Sequence, residues 1–131
     1  MDLFSYKPKE AISKTSKLEI REIFNGENEL LLTVDVYSVH CEKARNAATV
    51  RDKVIADEEA TAEQKEAANS QYIAELTAGW VIPEGHTLGG KRPNWSLEEA
   101  ATVASKWELF STAVLNHAAK ITNYGDKAKK S

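Results

Sequence analysis

The sequence has 131 residues, 42% of them hydrophobic and 28% charged, with a net charge of −3 at pH 7. This length suits one domain, and the composition indicates a folded globular protein rather than a disordered chain. The mild acidity argues against a nucleic-acid partner, which would require a basic surface. One cysteine excludes an internal disulfide, and no stretch is apolar enough for a signal peptide or a membrane span. We therefore expect a cytoplasmic protein with no membrane partner.

The first predicted element is a β-hairpin over residues 17–37. The first half has apolar residues at strand spacing and is followed by the turn-forming pair Asn25-Gly26. Residues 30–37 alternate between the two faces of a second strand. A hairpin alone is marginally stable, so it needs a helix to pack against.

Two helices are predicted next, at 39–57 and 62–79. Ser38 is the expected N-cap of the first, whose apolar face is thin and made mostly of small residues. Thr61 and Gln64 have the spacing of a capping box at the start of the second. Apolar residues then continue at helical spacing up to the glycine-rich loop. These residues are Ile73, Leu76, Thr77 and Trp80.

The third predicted helix, at 97–123, is the longest and the most amphipathic. Ser96 and Glu99 form a second capping-box pattern at its start, and Asn123 with Gly125 provides its stop. One face of the helix is apolar over its whole length, which predicts that this helix is the most buried element. The stripe contains Ala100, Val103, Ala104, Trp107, Phe110, Val114, Leu115, Ala118 and Ile121.

These elements predict an α+β fold, mostly α, in which an N-terminal hairpin precedes three helices. We expect one domain over residues 1–131, divided into an irregular segment at 1–16, the hairpin at 17–37, a helical part at 38–124 and a flexible tail at 125–131.

One stretch resembles a nucleotide-binding motif. Residues 85–91 match the G-x-x-x-x-G-K part of a P-loop. The context argues against that function, because Arg92 replaces the required Ser or Thr and Pro93 follows directly. We favour a surface loop and keep a small nucleotide-binding enzyme as the less favoured alternative.

Other reactive side chains show no catalytic or metal-binding pattern. His40 and Cys41 are adjacent on a predicted helix and point about 100° apart, so they cannot form a nucleophile–base pair. The three histidines and the cysteine lack zinc-ligand spacing, and the acidic run at 57–59 lacks a complete ligand set. We therefore predict no catalytic residue, no metal and no cofactor.

Two further features suggest contacts. Trp80 and Trp95 bracket the glycine-rich loop, and we expect them to pin its ends onto the core. Leu109, with Ala113 nearby, falls on the polar side of the third predicted helix. These two residues are the predicted partner-binding or self-association surface.

The order of these features resembles that of the tail assembly chaperones of long-tailed, lambda-like siphoviruses. The resemblance covers residues 17–124. It rests on the hairpin, on YSV at 37–39 opening an alanine-rich helix, on YIAELTAGW at 72–80, on the variable glycine loop and on WSLEEA at 95–100.

The resemblance implies a non-catalytic phage protein of the host cytoplasm that is absent from the mature virion. Such chaperones bind the tape measure protein and help to recruit tail tube subunits. A longer form made by programmed frameshifting is common among them, and the idea requires a slippery run of codons at 127–130. The alternative explanation of the lysines there is a solubilising tail. A structural virion protein, such as a tail completion or connector subunit, is the main alternative.

Overall fold

The computed structural model describes residues 2–5 and 14–125, and its fold is α+β with helix predominating, as predicted. The predicted tail beyond Gly125 and most of the predicted irregular segment at 1–16 lie outside the described residues. The strands are β1 (Thr15–Arg21), β2 (Leu30–Tyr37) and β3 (Thr77–Val81). The α-helices among the described residues are α1 (Glu42–Ala56), α2 (Ala62–Glu75), α3 (Leu97–Lys106) and α4 (Glu108–Ala119). Short 3₁₀ helices cover Leu3–Ser5 and Ile121–Tyr124.

The predicted hairpin is present, and its alternating pattern determines which face is buried. Strands β1 and β2 pair antiparallel, with Leu18 opposite Val34 and Ile20 opposite Leu32. The even-numbered residues of β2 from 32 to 36 are fully buried, whereas the odd-numbered residues are only partly covered. One face of the sheet therefore carries the core, and a helix layer covers it.

A third strand corrects the predicted helix at 62–79. Helix α2 ends at Glu75, and the chain enters β3 at Thr77, which pairs antiparallel with β2 in the sheet order β1-β2-β3. The backbone N–H of Tyr37 donates to the carbonyl of Leu76 at 2.7 Å. Leu76, the residue between α2 and β3, is therefore already hydrogen-bonded to the sheet. Pairing with the open edge of β2 outweighs the helical spacing that continues as far as Trp80.

The first helix starts later than predicted. Its N-cap is Cys41 rather than Ser38, and the Cys41 sulfur accepts a hydrogen bond from Ala44 N at 3.4 Å. Ser38 is fully buried, and its hydroxyl accepts from His40 N at 3.1 Å in the turn that precedes the helix. Ser38 therefore shapes the entry to α1 without capping it.

The two other predicted helix starts are correct. Thr61 and Gln64 form the complete capping box, with distances of 3.1 Å from Gln64 N to the Thr61 hydroxyl and 2.8 Å from Thr61 N to the Gln64 amide oxygen. The Ser96 hydroxyl accepts from Glu99 N at 3.0 Å at the start of α3. Local side-chain chemistry fixes both helix starts.

The prediction of a single long helix at 97–123 is wrong. The chain breaks at Trp107, which has extended backbone angles (φ −126°, ψ 96°) and separates α3 from α4. The Ser111 hydroxyl donates to the carbonyl of Ala104 at 2.7 Å across the break. Residues 121–124 form a separate 3₁₀ turn. The kink turns α4 across the core face of the sheet, where it contacts β1 and β2.

Phe110, rather than Trp107, is the aromatic centre of the core. Phe110 is fully buried, whereas Trp107 is only partly buried at the kink. Trp107 stacks on Phe110 with ring centroids 6.3 Å apart, and Trp80 of β3 meets Phe110 edge-on at 6.4 Å. Both contacts have favourable aromatic geometry and join α4 to the kink and to the sheet.

We expect Phe110→Ala to lower the free energy of unfolding by about 3–5 kcal/mol, the range for a large aromatic side chain removed from a core. Trp107→Ala should cost less, because part of the indole already contacts solvent. Urea denaturation of both variants measures the difference. An equal or larger loss for Trp107→Ala would contradict this packing.

A second prediction concerns pH. The Nε2 atom of His117 lies 3.0 Å from the Ser16 hydroxyl. Burial, with a smaller effect of Lys120, lowers the pKa of His117 below its ordinary value of 6.5. The unfolded chain therefore binds the proton more readily than the folded chain does. The contribution of His117 to stability is fully present above the ordinary pKa of 6.5 and is lost as the pH falls towards the lower pKa of the folded state.

Urea denaturation at pH 7.5 and pH 5 tests this effect against His117→Gln, which keeps a hydrogen-bonding side chain but does not titrate. The original protein should lose more stability between the two pH values than the variant does. Equal losses would show that His117 does not contribute to the pH dependence.

Candidate functional site

The two tryptophans that bracket the loop at 82–96 fasten its ends to the core. The Trp80 indole N–H donates to the carbonyl of Pro93 at 3.0 Å. The Trp95 indole N–H donates to the Thr77 hydroxyl at 2.9 Å, and this hydroxyl donates in turn to the carbonyl of Ala74 at 2.8 Å. Both tryptophans thus pin the loop, as predicted.

Arg92 organises the interior of the same loop. Its guanidinium donates to the carbonyls of Ile82 at 2.8 Å, Pro83 at 2.8 Å and His86 at 2.7 Å. A planar guanidinium can serve several acceptors at once, so one side chain fixes the path of residues 82–86. From the sequence, Arg92 counted only as a residue that disqualifies a P-loop, and its structural role was missed.

The loop does not have the geometry of a P-loop. Leu88 and Lys91 close a tight turn through paired backbone hydrogen bonds of 2.7 and 3.3 Å. Gly89 and Gly90 form the turn with φ of +62° and +81°, which glycine adopts without strain. The preceding strand is antiparallel, and α3 begins only at Leu97, six residues after Lys91, so the turn does not lead directly into a helix as a P-loop does.

The organised loop forms one wall of a cavity, which we call the loop pocket. Its volume is about 520 Å³, within the range of ligand-binding cavities. Its other walls are the start of β2, α3 and the kink. The apolar lining residues are Leu31, Ile82, Leu88, Val103 and Trp107, and the charged ones are Lys91, Glu99 and Lys106, with His86 beside them.

A second cavity lies between α1 and α2, and we call it the helical groove. Its volume is about 690 Å³. Val50 is 65% exposed on its wall, and Ile55, on the same helix, is 45% exposed. The other apolar residues that line it are Ala47, Val54, Ala68 and Tyr72.

Charged side chains frame the helical groove. The Arg51 guanidinium lies 4.1 Å from the centre of the Tyr72 ring, which is a cation–π contact. Burial is the main effect on the pKa of Tyr72 and raises it, although Arg51 opposes this. Lys43 and Glu75 approach to 3.8 Å at one end of the groove. Arg51 thus covers an aromatic ring of the neighbouring helix.

The predicted partner-binding residues lie elsewhere. Leu109 and Ala113 are one turn apart on α4, and both are partly buried against the core. Neither lines the loop pocket or the helical groove. The kink at Trp107 accounts for this placement, because it changes the direction of α4 relative to the straight helix assumed in the prediction. The role of these residues in binding stays a prediction.

The cysteine and two of the histidines have different immediate contacts. Cys41 is buried at the start of α1, His86 lies 3.3 Å from Glu29, and His117 contacts Ser16. No group of three or more potential metal ligands occurs within residues 2–5 and 14–125. No helix in the described part of the chain is long and apolar enough to cross a membrane.

Comparisons of the chain with protein-family models, with curated proteins and with solved structures give no match.

The role of Arg92 can be tested against its neighbour. We expect Arg92→Ala to free three carbonyls and to make residues 82–91 exchange amide hydrogens and undergo proteolysis faster, while the sheet stays protected. Lys91→Ala, a change of similar size at the adjacent exposed position, should leave exchange unchanged when both variants are measured in dilute solution. Equal loop protection in both variants would contradict the organising role of Arg92.

Proposed function

We propose that the protein is a phage tail assembly chaperone that binds a helical segment of the tape measure protein in the helical groove. The observation that carries this proposal is the exposure of Val50 beside a floor of alanines between two ordered helices. An apolar groove between helices is a common receptor for an amphipathic helix.

The dimensions of the groove suit such a ligand. Helices α1 and α2 contain 15 and 14 residues, so they extend for roughly 21 Å at about 1.5 Å per residue. The floor residues Ala47 and Ala68 are small, which lets another helix approach closely. A ligand helix of three to four turns, about this length, could place its apolar residues on Val50 and Val54.

The charged residues around the groove would not disfavour binding of a ligand helix through an uncharged apolar face. Glu42, Lys43, Arg51 and Glu75 line the groove, so positive and negative residues balance. A tape measure protein is long and helical, and its apolar faces need cover until the tail tube encloses it. An apolar groove edged by equal numbers of positive and negative residues is suited to covering such a face temporarily.

The resemblance that motivates this proposal involves two segments that are in contact. Thr77 lies in the segment at 72–80 and Trp95 in the segment at 95–100, and they share a 2.9 Å hydrogen bond. The motifs therefore belong to one structural unit, which supports treating them as a shared arrangement rather than as separate matches.

The wider proposal follows the same family. The chaperone acts in the host cytoplasm, helps to recruit tail tube subunits and leaves before the virion matures. Mass spectrometry of purified virions separates it from a tail completion or connector subunit, which would be present in fixed copy number. An open −1 reading frame after a slippery run at codons 127–130 would support a longer frameshifted form.

Two equally exposed valines provide a matched test of the groove. Val50 is 65% exposed on α1 and Val81 is 66% exposed on β3. We expect Val50→Asp to reduce co-purification with the tape measure protein at least tenfold, because it places a charge in the apolar contact. Val81→Asp should leave co-purification unchanged. Equal effects of the two substitutions, or none, would exclude the helical groove as the binding site.

Leu109→Asp separates binding from folding. Because Leu109 is partly buried against the core, a carboxylate there should lower the melting temperature, whereas Val50→Asp should not. Circular dichroism melting curves of the two variants measure this difference. If the Leu109→Asp variant were stable but did not co-purify with the tape measure protein, the binding surface would lie on α4 instead.

A further inference from the structure

The connection between β1 and β2 presents two large apolar side chains to solvent. This connection, residues 22–29, is called the hairpin tip here. Ile23 is 64% exposed and Phe24 is 91% exposed. An aromatic side chain this exposed on an ordered turn is costly to leave in water, and such residues commonly serve as anchors at protein interfaces.

Hydrogen bonds from polar groups of the hairpin tip and of Arg21 brace the tip. The Glu22 carboxylate accepts hydrogen bonds from the backbone N–H groups of Phe24 and Asn25. The Arg21 guanidinium donates to the carbonyl of Asn28 at 3.0 Å, and Asn25 accepts from Glu27 N at 2.9 Å. Since the tip is already ordered, little conformational entropy would be lost when Phe24 binds.

The chemistry of the tip complements that of the loop pocket. The tip carries Glu22, Glu27 and Glu29 and has no lysine or arginine. The loop pocket has apolar walls, and its charged lining residues are Lys91, Lys106 and Glu99, so the two lysines outnumber the one carboxylate. This excess of positive charge is local, because the whole chain has a net charge of −3.

The tip and the pocket are neighbours on the surface of one chain. The carboxylate of Glu29 lies 3.3 Å from Nε2 of His86, a residue that lines the pocket. Leu31, which follows the tip, also lines the pocket. Phe24 nevertheless remains 91% exposed, so it does not fill the pocket of its own chain.

From these observations we propose that two copies of the chain form a symmetric dimer by exchanging hairpin tips. Phe24 of each copy enters the loop pocket of the other, and the tip glutamates approach Lys91 and Lys106. Adjacent tip and pocket make the surface self-complementary, as a two-fold interface requires. This contact goes beyond the proposed function and uses neither wall of the helical groove.

Sedimentation of the full chain, from micromolar to near-millimolar concentration, tests the dimer. We expect Phe24→Ser, and separately the double variant Lys91→Ala with Lys106→Ala, to raise the dimer dissociation constant at least tenfold. Added salt should weaken the original dimer, because charged groups contribute to it. Val50→Ser, which alters an exposed apolar residue elsewhere, should leave it unchanged.

A mixing experiment identifies the exchanged contacts. Each variant alone has lost both contacts of its dimer, whereas a mixture of the Phe24 variant and the lysine variant can form one intact tip–pocket contact. The mixture should therefore associate more tightly than either variant alone. A monomeric original protein, a dimer unaffected by these substitutions, or a mixture no tighter than its components would each overturn the proposal. Circular dichroism confirms that the variants, all altered at exposed positions, remain folded.

Discussion

The hydroxyl of Thr77 is the contact on which the arrangement of the helices, the sheet and the loop depends. It is fully buried, donates to the carbonyl of Ala74 at the end of α2 and accepts from the indole of Trp95 before α3. One side chain therefore ends a helix, begins a strand and anchors the far end of a loop. A buried hydroxyl with both hydrogen bonds satisfied also fixes the register in which these elements meet.

Much of the fold could be predicted from short-range patterns, and the errors arose where tertiary contacts override them. The hairpin and the caps at Thr61 and Ser96 depend on neighbouring residues, so the sequence carries them directly. Strand β3 was missed because apolar spacing stays helical through Trp80. The kink at Trp107 was missed because no proline or glycine marks it, and Phe110, Val114 and Ala118 continue the stripe beyond it.

The candidate site was predicted less well, because exposure depends on which elements cover one another. The pinning role of Trp80 and Trp95 followed from their positions at the ends of the loop. The bonds from Arg92 to three carbonyls required the folded path of the loop. Leu109 was placed outside the core by a straight helical wheel, whereas the kinked chain partly buries it. Phe24 had a visible signal, since Ile23 and Phe24 form an apolar pair directly before the predicted turn at Asn25-Gly26.

The direct passage from α2 into β3 makes the two walls of the helical groove mechanically different. Only Leu76 separates α2 from β3, and its carbonyl accepts a hydrogen bond from Tyr37 N of β2, so this wall is tied directly to the sheet. Helix α1 packs chiefly on α2, and Ala44 is its one fully buried residue. The groove thus has one wall continuous with the sheet and one wall held mainly by its neighbouring helix, and local opening would cost less at α1 than at α2.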